Sequence, residues 1–134
     1  RLRCLRGIDT LTALGLCAEV SDFGRFPGPE ALTAYLGLVP GERSSGEKQR
    51  KGPITKTGNH RARWLLIQAA LRLLRAKKPE TAHLREWAER IAARRGKKTA
   101  VVALARRLAG ILFAMMRDGT EYQAPKPAEL EAAA

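Results

Sequence analysis

Apolar residues in this chain recur mostly at helical spacing, and the pattern divides it into helices separated by Gly, Pro and charged stretches. A helix is predicted from about Thr10 to Val20, with Asp9 placed as its N-cap after a Gly7-Ile8-Asp9 turn. Arg1 to Arg6 reads as the end of a preceding helix, so the opening has a helix–Gly-turn–helix pattern. That pattern fits a DNA-binding helix-hairpin-helix or an ordinary corner between two helices. Phe23 and Phe26 are expected to pin the next loop to the core. A short helix then starts at Pro29 and runs through Leu36, stopped by Gly37 and Pro40.

From Val39 to Gly58 the apolar period disappears, and the segment reads as one long basic loop, poorly ordered or unusually mobile from about Gly41 to Thr57 without a partner. A long helix follows, capped by Asn59 or Thr57 and running to about Lys77 before Pro79. Ala62, Leu65, Leu66, Ala69, Ala70 and Leu73 fill one face, and Trp64, Ile67, Leu71 and Leu74 widen it. Arg61, Gln68, Arg72 and Arg75 are left as a polar stripe, either a wall of a nucleic-acid groove or solvated, snorkelling arginines. Further helices are expected from about Glu80 to Arg95, ended by Gly96, and from about Lys98 to Arg117. The last is the most apolar and serves as the central core element or a dimer seam, with Met115 and Met116 as filler. No strand-period alternation is seen, so the expected fold class is all-α. Residues 1–122 form the domain and the Pro/Ala-rich residues 123–134 a flexible tail.

Composition sharpens this picture. The chain has 134 residues and a formal net charge of +12, an excess that a polyanionic partner offsets. Only 5% of residues are aromatic against 45% hydrophobic, so the core is built from Leu, Ala, Val and Ile. No stretch reaches the length of a membrane span and no signal peptide is seen. With Cys4 and Cys17 read as reduced, buried thiols, this argues for a cytoplasmic protein without a membrane partner. His60 and His83 are too far apart to form a helical ligand pair, and no carboxylate cluster accompanies them, so no metal site is expected in these residues.

The candidate chemistry lies in the basic segment. Ser44 and Ser45 precede Gly46, and Lys48, Arg50, Lys51 and Lys56 follow; Asn59, Arg61 and Arg63 then open a helix. Backbone N–H groups at a helix start attract anions. Cations around a phosphate would stabilise charge during attack by a serine. The same residues, with Arg72, also suit a non-catalytic module whose loop clamps phosphates.

The strings Arg6 to Leu16, Tyr35 to Pro40, Ser44-Ser45-Gly46, Ile54 to Arg63 and Arg95 to Gly110 closely resemble a family of bacterial insertion-sequence transposases. That family also includes the Piv-type DNA invertases. The resemblance implies the C-terminal domain of a DNA recombinase, with Ser45 as nucleophile and Ser44 in reserve. It further implies an N-terminal RuvC-like domain carrying a divalent metal (magnesium), a bridge RNA that guides target choice, DNA as substrate, and a homo-oligomer. The isolated domain is expected to be inactive. Asp9 departs from the family pattern, standing where many relatives carry a second turn glycine.

Overall fold

The computed structural model describes residues 10–20, 23–38, 40–45, 48–54, 59–77 and 79–119. Five helices form its packed body: α1 (Thr10–Val20), α2 (Pro29–Tyr35), α3 (His60–Ala76), α4 (Ala82–Arg95) and α5 (Lys97–Asp118). The fold class is all-α. Between α2 and α3 the chain forms a two-stranded antiparallel ribbon, β1 (Pro40–Ser45) and β2 (Lys48–Ile54). The segment expected as a loop is therefore a paired hairpin. The opening turn at Gly7-Ile8-Asp9, with Cys4, and the tail from residue 120 lie outside the described residues.

Helix α5 is the centre. It packs against α2, α3 and α4, while α1 packs against α3. Leu104, Ala105, Leu108, Ala109, Leu112 and Phe113 of α5 are buried in one cluster with Leu32 of α2, Leu66, Ala69, Ala70 and Leu73 of α3, and Leu84 and Ala88 of α4. Alanines at the crossings let helices approach closely, so a core with few aromatics still closes. Of the two expected roles for α5, the structure shows the core role. By length and composition α5 is also apolar enough to cross a membrane. The expectation that no stretch reaches that length is thus corrected, and in this fold much of that apolar surface lies against the neighbouring helices.

Local chemistry sets the joints. Pro29 starts α2 as predicted, and Leu36, Gly37 and Leu38 close it by donating to the carbonyls of Leu32, Ala34 and Thr33. Gly96 alone links α4 to α5 at φ 92°, a backbone region where an L side chain is strained. A 3₁₀ turn, Pro79–Thr81, precedes α4. At Gly15, where α1 meets α3, a Cβ would lie 2.8 Å from Leu65 Cδ1, so a larger residue there would push the end of that side chain aside.

Two side-chain placements differ from expectation. Cys17 is exposed, not buried, because α1 turns it away from the face that carries Leu16 and Val20. Trp64 is 57% exposed, since α3 buries the sector of Ala62, Leu66, Ala69, Ala70 and Leu73 instead. Phe26 does pack against the core, next to Tyr35. Met115 is buried and Met116 half-buried, both against the core as filler would be.

Candidate nucleic-acid interface

The hairpin register sorts the candidate residues. Ser45 pairs with Lys48, Ser44 with Gln49, Arg43 with Arg50 and Glu42 with Lys51. Directly opposed residues share a face of an antiparallel pair, and faces alternate along each strand. Register positions 43, 45, 48 and 50 therefore fall on one face, and 42, 44, 49 and 51 on the other. Ser45 shares its face with Arg43, Lys48 and Arg50, whereas Ser44 shares its face with an acid, an amide and a single cation. Arg43 is absent from the residues singled out in the sequence; only the register brings it in. Gly46 and Glu47 lie between the strands and, with Lys56 and Thr57, outside the described residues.

The hairpin's feet are clamped to the helical body. Asn59 is the N-cap of α3, and its Oδ1 accepts from the Ala62 N–H at 3.0 Å. Its Nδ2 donates to Glu19 Oε2 at 2.7 Å and to the Tyr35 hydroxyl oxygen at 3.3 Å. The Asn59 backbone N–H donates to the Tyr35 carbonyl at 3.1 Å. Arg63 Nη1 donates to the Leu36 carbonyl at 3.0 Å. One amide thus ties together the end of α1, the end of α2 and the start of α3. Of the two caps considered, Asn59 holds the helix start, and part of the N–H array expected to face an anion is filled from within.

Tyr35 completes the junction. Its hydroxyl donates to the Glu19 carbonyl at 3.3 Å, and the Arg25 guanidinium stacks 4.8 Å from the ring centroids of both Tyr35 and Phe26. The hydrogen bond from Asn59, with Arg25 second, holds the Tyr35 phenol below its ordinary pKa of 10.0; burial and Glu19 oppose the shift. A donor aimed at the phenol oxygen favours the phenolate.

The remaining candidates lie along α3. Arg61 Nε is 3.5 Å from Glu19 Oε1, with the arginine side chain 73% exposed, so the pair adds little stability and leaves the guanidinium at the surface. Arg72 Nη1 donates to the buried Thr12 hydroxyl at 2.9 Å, bracing α3 against α1. Around this contact a groove of about 900 Å³ opens, lined by Thr12, Gly15, Arg61, Trp64 and Arg72 among others. The Glu19–Tyr35–Asn59 junction was not legible in sequence patterns, because its members stand up to 40 residues apart.

The profile of the transposase IS116/IS110/IS902 family matches residues 1–85. The chain is 42% identical to transposase y4qE of Sinorhizobium fredii, over 90% of this chain and 36% of that protein. It is 38% identical to the transposase for insertion sequence element IS1111A of Coxiella burnetii, over 92% of this chain and 34% of that protein. With the insertion element IS110 43.6 kDa protein of Streptomyces coelicolor, identity is 33% over 99% of this chain and 32% of the relative. The chain therefore spans about a third of the length of these relatives.

Proposed function

This chain belongs to the transposase IS116/IS110/IS902 family, and from that premise we propose that residues 1–122 are the serine-bearing domain of an insertion-sequence recombinase. Ser45 Oγ attacks a DNA phosphorus, and the bond from phosphorus to one deoxyribose oxygen breaks. That oxygen takes up a proton and leaves as a strand hydroxyl. A hydroxyl of the partner strand then attacks the phosphoserine, the phosphorus–Oγ bond breaks, and the serine regains its proton. Bond energy is kept in the covalent intermediate, so exchange needs no nucleotide hydrolysis. Arg43, Lys48 and Arg50 offset charge on the phosphate oxygens, while Lys51, Lys56, Arg61 and Arg72 hold the backbone nearby. Asn59 and Arg63 act by fixing the hairpin's feet.

The observation that carries this reading is the register, which gives Ser45 and not Ser44 the cationic face of the ribbon. Among the described residues no three His, Cys, Asp or Glu lie together as a metal site. The divalent ion is assigned to the RuvC-like domain, and no step above runs through it. Guide RNA, a homo-oligomer that brings two duplexes together, and a cytoplasmic location belong to the same proposal.

The test is strand exchange by the full-length protein with its RuvC-like domain, guide RNA and DNA. Ser45→Ala abolishes exchange and leaves nucleic-acid affinity within about twofold, because it removes a nucleophile and no charge. Ser44→Ala is milder. Normal exchange by Ser45→Ala would reduce the chain to a phosphate-clamping module.

A further inference from the structure

Helix α3 carries a face that the core does not use and that continues past Arg61 and Arg72 to Trp64, Gln68 and Arg75. At about 100° per residue, Arg61, Trp64, Gln68, Arg72 and Arg75 fall within about 80° of one another on the helix. Their sector is the one opposite the buried Ala62, Leu66, Ala69, Ala70 and Leu73. Trp64 stands in this stripe of arginines, 57% exposed, and it borders the groove between α1 and α3. Among the described residues Trp64 and Leu14 are the exposed large hydrophobics, and Trp64 alone of the two has a guanidinium group, that of Arg61, one turn away on its own helix face. The face is spatially built: Arg72 is braced by Thr12, and Thr12 and Gly15 of α1 form the far wall of the groove.

An exposed indole among arginines fits one class of partner best. Unpaired nucleobases present free π faces, and proteins that hold single strands combine stacking aromatics with a cationic track. A duplex hides those faces within its stack and offers phosphates and groove edges instead. A second copy of this chain, at +12, would bring like charge against the stripe. From Arg61 to Arg75 the stripe runs about 21 Å at 1.5 Å per residue, long enough for a short strand.

We propose that this face of α3 binds an unpaired stretch of nucleic acid, with Trp64 stacked on a base and Arg61, Arg72 and Arg75 against flanking phosphates. The inference rests on the nucleic-acid reading above and adds to it the strand form and the stacking contact of Trp64.

The test uses the chain with Trp87→Phe, which leaves Trp64 as its one tryptophan. Oligothymidylate and oligouridylate are titrated at low salt beside a duplex of mixed sequence. Both single strands quench Trp64 emission, and the tighter of the two identifies DNA or RNA as the natural source. In the unaltered background, Trp64→Ala weakens single-strand binding about tenfold or more. Duplex binding changes less than about twofold, and Trp64→Phe retains most of the single-strand affinity. Absence of quenching, or equal loss for single and double strands in Trp64→Ala, overturns the inference and leaves the face to a protein partner. If the chain binds all three nucleic acids and only the Trp64 effects are missing, this inference alone falls. If it binds none of them, the functional reading beneath it falls as well.

Discussion

The helical body and the hairpin are built on opposite principles. In the body, α5 sits among α2, α3 and α4 and is held by buried Leu, Ala and Phe side chains from all four helices. The ribbon has two strands and places Arg43 directly opposite Arg50. Two-stranded ribbons are marginal in water, and like charges facing each other weaken them further. At its feet, among the described residues, Asn59 and Arg63 reach Glu19, Tyr35 and Leu36 of the body. The contrast teaches that the buried contacts lie in the body while the ribbon carries the cations on which the proposed chemistry depends, so substitutions should separate the two.

The largest effect belongs to the body. Leu104 is 0% exposed, and Leu104→Ala costs about 2–5 kcal/mol, the range for a buried leucine cut to alanine. Chemical denaturation reads it directly; a loss below about 1 kcal/mol would mean that α5 is not the centre. Next is the joint. Asn59→Ala removes a cap worth about 0.5–2 kcal/mol and frees the hairpin's foot. Amide exchange should then speed up in β1 and β2 more than in α5, and a uniform change would deny Asn59 its clamping role.

In the ribbon, Arg50→Gln leaves thermal stability nearly unchanged but reduces the slope of log affinity against log salt on duplex DNA by about 0.9, one phosphate contact. An unchanged slope would remove Arg50 from the interface. The smallest effect is at Tyr35. In a Tyr122→Phe background the single phenol titrates below 10.0, and Asn59→Ala moves it upward by removing the donor that favours phenolate. The sign follows from linkage: a lowered folded pKa stabilises the fold above the unfolded value near 10, and that contribution is lost as pH falls through the folded pKa. Neutral-pH stability therefore owes nothing to this ionisation, and ultraviolet absorbance is the measurement to use.

Much of the body was legible because its instructions are local. Pro29 starts α2, Asn59 caps α3, Gly96 ends α4 and Gly119 closes α5, and each stands beside the apolar period it bounds. The hairpin was not legible. Its strands, Pro40–Ser45 and Lys48–Ile54, lack the apolar alternation that reports a half-buried strand; the available hint was Gly46 in a two-residue connection. Trp64 was misplaced by residue type: its helical angle puts it with Arg61 and Arg75, and apolar character alone suggested the core. Cys17 failed the same way, since apolar neighbours in sequence do not make a residue buried. At the candidate site, the cation density could be read directly. The choice of Ser45 over Ser44 needed a family resemblance.

The most direct test of the central claim is to trap the covalent intermediate. Full-length protein, guide RNA and a nicked DNA substrate would be quenched during exchange, digested, and the nucleotide-linked peptide sequenced by mass spectrometry. The account predicts a phosphodiester-linked nucleotide on Ser45, lost in Ser45→Ala and retained in Ser44→Ala. A link on Ser44, on another side chain, or no adduct during active exchange would contradict it.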